Sequence, residues 1–280
     1  MNEVRVLLEH AKTMLDGSAD EVALEGQILL AHVLGKDRSW LYAWPEFEVD
    51  ADQAAQFRRL LEQRRQGRPI AHLTGEREFW SLPLKVTATT LIPRPETEQL
   101  VERVLQLDLP PDARVLDLGT GSGAIALALA SERPNWQIKA VDCSADALAV
   151  ARGNAATLHL RNIAFSLSDW FAALEQNKLF DLIVSNPPYI AAADPHLTRG
   201  DLRFEPARAL ISGADGLDAI RRIIIDAQHQ LTAGGWLWFE HGMDQGTAVS
   251  TLLRDVGYAQ ISQNADLTGH TRISGGRMRF

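Results

Sequence analysis

Residues 115–123 read V-L-D-L-G-T-G-S-G, and the reading of this stretch decides the fold. An apolar run ends in glycines at alternate positions, Gly119, Gly121 and Gly123, and an alanine-rich apolar segment follows from Ala124. Strand, glycine turn and helix in that order describe a ligand loop. Glycines let the backbone turn sharply and let a bound group approach the main chain closely. Asp142 ends the next apolar run, 19 residues after Gly123. A carboxylate at that place can accept both ribose hydroxyl protons of an adenosine ligand.

Outward from this loop the pattern alternates. Strands are expected at Val115–Leu118, Ile138–Asp142, Ile163–Leu167, Leu182–Ser185 and Gly235–Glu240. Helices are expected between them at Ala124–Ser131, Ala145–Leu158 and Leu217–Gln230. Such alternation implies right-handed βαβ units. Tyr258–Asp266 and Gly276–Phe280 read as two further strands in an antiparallel edge hairpin. The expected fold is therefore α/β: a seven-stranded, mostly parallel, doubly wound sheet.

Towards the N-terminus the period changes. Val4, Leu7, Leu8 and Ala11 recur at helical spacing. Ser18 and Glu21 form a capping-box pattern ahead of Val22, Leu29 and Val33, and Gly35 stops that run. A third helix is expected over Ala51–Gln66. Its far end is basic, with Arg58, Arg59, Arg64, Arg65 and Arg68. These form either a solvated face or a docking surface for an acidic or ribonucleoprotein partner. Phe79, Leu82, Leu84 and Val86 around Pro83 suggest a short hairpin, and Pro93-Arg94-Pro95 interrupts any regular element. The expected organisation is a small all-α domain over 1–75, a linker hairpin over 76–96 and the α/β domain over 97–280.

Composition bounds the function. Of 280 residues, 46% are hydrophobic and 23% charged, as in soluble globular chains. Glu3, Arg5, Glu9 and Lys12 interrupt the first apolar residues, so no secretory leader is expected. The single cysteine, Cys143, excludes an intramolecular disulfide and fits a reducing cytoplasm. The net charge of −8 disfavours an autonomous nucleic-acid binder, and no membrane partner is expected. The eight histidines show no H-x-x-x-H or H-E-x-x-H spacing, so no catalytic metal is expected.

The glycine loop alone admits two cofactors. Gly119-x-Gly121-x-x-Ala124 satisfies the dinucleotide fingerprint. Asp117-x-Gly119-x-Gly121-x-Gly123 suits S-adenosylmethionine, whose sulfonium and ammonium are helped by a nearby carboxylate. Asp169-Trp170, closing the third strand, offers an acid and a flat ring for an adenine, although Trp170 could equally be core packing.

Asn186-Pro187-Pro188-Tyr189 closes the fourth strand, at the carboxyl end where open α/β sheets bind ligands. The chemistry suits methylation of a conjugated nitrogen, whose delocalised lone pair makes it a poor nucleophile. The Asn186 side-chain oxygen and a proline carbonyl can accept the two protons of an NH₂ group. That stabilises positive charge as the nitrogen attacks, an oxyanion hole of reversed polarity. The prolines preorganise the backbone, and Tyr189 offers an aromatic wall.

The chain resembles the peptide chain release factor glutamine methyltransferases over nearly its whole length. The segments are Arg64-Arg65-x-Gly67-x-Pro69-x-Ala71, Gly75–Phe79, Pro93-Arg94-Pro95-Glu96-Thr97-Glu98, Glu205-Pro206 and Asp215-Gly216-Leu217. Glu240-x-Gly242-x-x-Gln245 and Asp266-Leu267-x-Gly269 to Arg272 complete them. The resemblance implies a Rossmann-like class I methyltransferase. It implies that Gly119, Thr120, Gly121, Ser122, Gly123, Asp142, Trp170 and Asn186 hold S-adenosylmethionine. Asn186, Pro187, Pro188 and Tyr189 would bind the substrate amide, with Asn186, Pro187 and Tyr189 catalytic. The implied substrate is the glutamine of the Gly-Gly-Gln tripeptide in class I release factors, held by the N-terminal helical domain. Cys143 stands where the family commonly has an aliphatic residue, and His72 near a commoner aromatic one. Glu96 and Glu98 read either as cofactor ammonium ligands or as first-turn helix acids; Glu240 and Gln245 read as structural. A ribosomal-protein glutamine methyltransferase, a DNA adenine methyltransferase and a non-enzymatic scaffold remain as alternatives.

Overall fold

The computed structural model describes residues 2–175, 178–265 and 269–279. Asp266, Leu267 and Phe280, which the sequence reading places in terminal strands and in one family segment, lie outside the described residues. The chain divides into two compact units, Met1–Glu76 with Thr198–Phe204, and Arg77–Leu197 with Glu205–Phe280.

The first unit is helical: α1 (Val4–Met14), α2 (Ala19–Leu34), α3 (Arg38–Ala43), α4 (Ala51–Arg65) and α5 (Ile70–Thr74). Ser18 and Glu21 complete the expected capping box, and Gly35 ends α2 with φ of 62°. Val4, Leu7, Leu29, Leu30, Phe57 and Leu61 share one core. Two short helices, α3 and α5, escape the sequence reading because each spans fewer than two turns. The basic end of α4 is largely spoken for. Arg64 pairs with Glu25 at 2.7 Å and Asp201 at 3.0 Å, and Arg65 pairs with Glu62 at 2.7 Å. Arg58 donates to Asn2 and Arg68 to Gln63, each at 2.8 Å.

The second unit opens with a hairpin, β1 (Glu76–Phe79) and β2 (Leu82–Lys85), followed by α6 (Glu98–Leu105). The alternating region then runs β3 (Arg114–Leu118), α7 (Ala124–Glu132), β4 (Gln137–Asp142), α8 (Ala145–Thr157), β5 (Ile163–Leu167) and β6 (Phe180–Ser185). It continues α9 (Asp218–Ala227), β7 (Leu231–Glu240), α10 (Gly246–Val256), β8 (Ala259–Ala265) and β9 (Thr271–Arg277). The seven-stranded sheet has the order β5-β4-β3-β6-β7-β9-β8. Strands β3 to β7 are parallel, and β9 is antiparallel to both β7 and β8. The expected sheet and its antiparallel edge are both present, with the last strand at Thr271–Arg277, five residues earlier than its expected start at Gly276. Helix α10 is an addition: β-branched Thr247, Val249 and Thr251 weaken its helical signal.

Alternation along the strands sorts the core onto the two faces of the sheet. Val115, Leu182, Val184 and Trp238 pack with α6 and α7, whereas Leu116, Leu118, Ile183, Leu237 and Phe239 pack with α9 and α10. Asn154 on α8, 1% exposed, joins local pieces that the sheet alone would not. Its Nδ2 donates to the carbonyls of Ser122 and Lys85 at 2.9 and 3.0 Å, and its Oδ1 accepts from the Lys85 N–H at 2.9 Å. The hairpin and the glycine loop are thereby tied to one buried amide.

Candidate active site

Register brings the expected residues together. Leu118 on β3 is level with Val141 on β4 and with Ser185 on β6. Gly119, Asp142 and Asn186 each come next in sequence, so they stand side by side at the carboxyl ends of three adjacent strands. Strand β3 is also where chain order reverses, β4 and β5 lying to one side and β6 and β7 to the other. This is the switch point at which open α/β sheets bind ligands.

A cavity opens there. Gly119, Gly121, Asp142, Trp170, Asn186 and Pro188 are among its lining residues. Gly119 and Gly121 have φ of 70° and 58°, in the region that favours glycine. A side chain at Gly119 would stand 3.6 Å from the Trp170 ring, so the indole covers the loop. Asp142 accepts from the Gly121 N–H at 2.9 Å and from the Ser144 N–H at 2.8 Å, one bond to each carboxylate oxygen. Each oxygen keeps a further lone pair for a hydroxyl.

Other expected residues stand behind this wall. Thr120 and Ser122 are buried, 6% and 2% exposed. Thr120 Oγ1 donates to Asp117 at 2.6 Å, and the Ser122 carbonyl accepts from Asn154. Gly123 begins α7 with φ of 91°, and a Cβ there would meet Leu127 at 2.8 Å. These three shape the loop from behind. Pro187 is buried and Tyr189 packs against the core beside α9 and α10; neither lines the cavity.

Asp117 is likewise buried and does not line the cavity. Burial pushes its carboxyl up to about 7 against the opposing Thr120 bond, and the nearby charge of Asp142 adds to the rise. The folded protein therefore holds this proton more tightly than the unfolded chain. That contribution to stability is full below the unfolded value and is lost as pH rises through about 7. Between pH 6 and 8 the wild type should lose about 1 kcal/mol relative to Asp117→Asn, which binds no proton there. Paired thermal melts at the two pH values check this, and parallel behaviour of the two proteins would refute it.

The structure also shows what sequence reasoning missed. Thr89, Thr90 and Leu91 line the cavity, as do Pro206, Arg208 and Ala209. Glu205, its side chain fully buried, accepts from the Ile92 N–H at 2.9 Å and from Arg94, which fastens these two loops together. Arg208 donates to Ser144 Oγ at 2.7 Å. Behind Asn186, Thr97 Oγ1 accepts from Asn186 Nδ2 at 3.1 Å and donates to Glu240 Oε2 at 2.6 Å. Tyr189 donates to Glu240 Oε1 at 3.0 Å. Burial, and then the Glu240 charge, push the Tyr189 phenol far up, so it stays protonated and serves as a donor. Gln245 Nε2 donates to the Tyr189 carbonyl at 3.0 Å. Glu98 accepts from the Trp80 N–H at 2.8 Å, and Phe79 sits in the core, 1% exposed. Thr97, Glu240 and Gln245, scattered through the sequence, thus converge on the Asn186–Tyr189 loop.

The sheet order and the glycine loop are those of an open α/β nucleotide-type fold, and its sequence relatives make it a methyltransferase of the Rossmann-like kind. Residues 96–214 match the family described as methyltransferase small domain, and residues 6–75 that described as PrmC N-terminal domain. Solved structures agree on the fold. A Pyrococcus furiosus methyltransferase aligns with a TM-score of 0.55 at 15% identity, over 82% of this chain and all of that one. The Thermus thermophilus 16S rRNA N2 G1207 methyltransferase bound to AdoMet and guanosine gives 0.52 at 20%, over 73% and 50%.

Sequence relatives are far nearer. The release factor glutamine methyltransferase of Vibrio cholerae is 49% identical over 99% of this chain and 97% of its own length. That of Xylella fastidiosa is 51% identical over 91% and 92%, and that of Escherichia coli K12 49% over 90% and 91%. The chain belongs to the release factor glutamine methyltransferase family.

The donor set suits S-adenosylmethionine: an adenosine-type acid with spare lone pairs, a flat ring over the glycine loop, and no side chain where Gly119 and Gly121 face the cavity. Asp142→Ala should weaken cofactor binding by about 1.5–3 kcal/mol, the scale of hydrogen bonds to a charged group. Calorimetric titration reads this directly, and an unchanged affinity would remove Asp142 from the ribose site.

Proposed function

We propose that this enzyme transfers a methyl group from S-adenosylmethionine to the side-chain amide nitrogen of the Gly-Gly-Gln glutamine in class I peptide chain release factors, and so modulates translation termination. The observation that carries the reading is the shared cavity: Asn186 and Pro188 line the same space as Asp142, Trp170 and the glycine loop. An acceptor for an NH₂ group therefore stands where the cofactor would be held.

When bound, the cofactor supplies an electrophilic methyl carbon on a sulfonium. The chain's residues do the rest. Asp142 holds the ribose, Trp170 lies by the adenine, and Gly119 and Gly121 let the ligand approach the backbone. Asn186 Oδ1 and a proline carbonyl of the same loop accept the two amide protons, and the amide nitrogen gains nucleophilicity as it leaves planarity. Positioning nitrogen, carbon and sulfur in line supplies much of the rate. No strong base is needed, because the methylated nitrogen is very acidic and releases its proton to water.

The helical domain of residues 1–75 is proposed to hold the release factor, with residues 76–96 as the linker. The net charge of −8 supports a protein rather than a nucleic-acid partner in the cytoplasm. Among the described residues no helix is long and apolar enough to cross a membrane.

The test is transfer of labelled methyl to purified class I release factor, with a Gly-Gly-Ala substrate as control and with DNA and ribosomal protein offered in parallel. Label on the release factor that vanishes in the alanine substrate is expected. Label only on DNA or ribosomal protein would keep the chemistry and overturn the substrate.

A further inference from the structure

We propose that Thr97, itself oriented by Glu240, fixes which end of the Asn186 carboxamide faces the substrate, making Thr97 and Glu240 positioning residues for methyl transfer. The inference rests on the reading above of Asn186 as the acceptor for the substrate amide.

A carboxamide has two ends of nearly equal size and opposite polarity. With Oδ1 towards the substrate, Asn186 accepts an amide proton. With Nδ2 there, donor meets donor. Something must choose, and the choice follows from proton counting. Glu240 is 1% exposed and, when ionised, only accepts. Two hydroxyls reach it, Thr97 at 2.6 Å on Oε2 and Tyr189 at 3.0 Å on Oε1, so both must donate. Thr97 has a single hydroxyl proton and gives it to Glu240. Its oxygen then offers only lone pairs to Asn186, 3.1 Å away, and that contact must be made by Nδ2. Oδ1 is left for the substrate.

The elements hold this relay in place. Thr97, 3% exposed, is set just ahead of α6 by Pro95, and its N–H donates to the Arg94 carbonyl at 3.1 Å. Glu240 ends β7. Burial holds its carboxyl above the ordinary carboxylate range, with Glu96 adding to the rise and the bonds from Thr97 and Tyr189 and the charge of Arg272 on β9 opposing it. The two hydroxyls satisfy both carboxylate oxygens, which fits an ionised acceptor. The relay crosses 143 positions of sequence between Thr97 and Glu240, and 89 between Thr97 and Asn186.

The test compares Thr97→Val, Thr97→Ser, Glu240→Gln and Asn186→Ala in steady-state methylation of a release factor, with cofactor affinity by calorimetry and folding by thermal melting. Thr97→Val should lower kcat about tenfold or more, with cofactor Kd within about twofold of wild type, because a preorganised acceptor loses its director. Thr97→Ser, which restores the hydroxyl, should return kcat to within about threefold of wild type. Glu240→Gln should lower kcat about tenfold, since the two hydroxyls reach different carboxylate oxygens and the amide sets a donor nitrogen against one of them. Should the valine variant not fold, Thr97→Ala removes the hydroxyl without adding bulk. A folded Thr97→Val or Thr97→Ala with kcat within twofold of wild type, beside a crippled Asn186→Ala, would overturn the relay and leave the role of Asn186 standing. Full activity of Asn186→Ala would overturn that role and the relay with it.

Discussion

Asn186→Ala should lower kcat by roughly 10²–10³ while leaving cofactor affinity nearly unchanged, by analogy with the loss of one preorganised polar partner at a reacting centre. That corresponds to about 2.7–4 kcal/mol of transition-state stabilisation. The magnitude follows from where the residue sits. It is one position past Ser185, whose backbone is fixed in β6 opposite Leu118 and whose Oγ donates to the Leu118 carbonyl at 2.8 Å. Pro187 follows at once, so the backbone here has little freedom. An acceptor held this firmly costs no reorganisation when charge develops on the substrate nitrogen. The proposed holders of the cofactor, Asp142 and the glycine loop, belong to other strands and are untouched by the change. The measurement is kcat from methyl transfer beside Kd from calorimetry. A fall in affinity with kcat preserved would assign Asn186 to the cofactor alone, and an unchanged kcat would remove it from the mechanism.

Much of this was legible in the sequence because it is local. The strands around Val115–Leu118, Ile138–Asp142 and Leu182–Ser185 announce themselves by apolar runs with a glycine turn, an acid and Asn-Pro-Pro-Tyr at their ends. The parallel order then brings those ends together without further information. What stayed hidden is long-range or lies behind the wall. Nothing near Asn154 signals that its amide joins the glycine loop to the hairpin, 32 and 69 positions away. Asp117 looks like a ligand for a cation from its place before the glycines, yet its side chain turns inward to Thr120. Glu240 and Gln245 read as structural, which is right as far as it goes. What they support is the Asn186–Tyr189 loop itself, and only the folded chain shows that.

Gly216→Ala should be among the most damaging single-atom additions outside the cavity wall. Gly216 has φ of 79°, where an alanine is strained. A Cβ there would lie 2.2 Å from the Tyr189 carbonyl oxygen and 2.7 Å from Gln245 Nε2, the atom that donates to that same carbonyl. Backbone strain of about 1–2 kcal/mol then adds to overpacking of about 1–3 kcal/mol. Neither neighbour can yield cheaply. Tyr189 is held by the prolines before it and by its own bond to Glu240, and Gln245 is held by the Gly242 N–H at 2.8 Å. Relief therefore comes by displacing the loop that carries Asn186, and kcat should fall at least tenfold together with the melting temperature. Gly257→Ala supplies the control: Gly257 ends α10 with φ of 101° and no atom within 4 Å of its would-be Cβ, so it carries the strain without the collision. It should cost about 1 kcal/mol of stability and leave kcat alone. If Gly216→Ala proved no worse than Gly257→Ala in both melting temperature and kcat, the close approach of residue 216 to the Tyr189 backbone would have no part in holding the Asn186–Tyr189 loop.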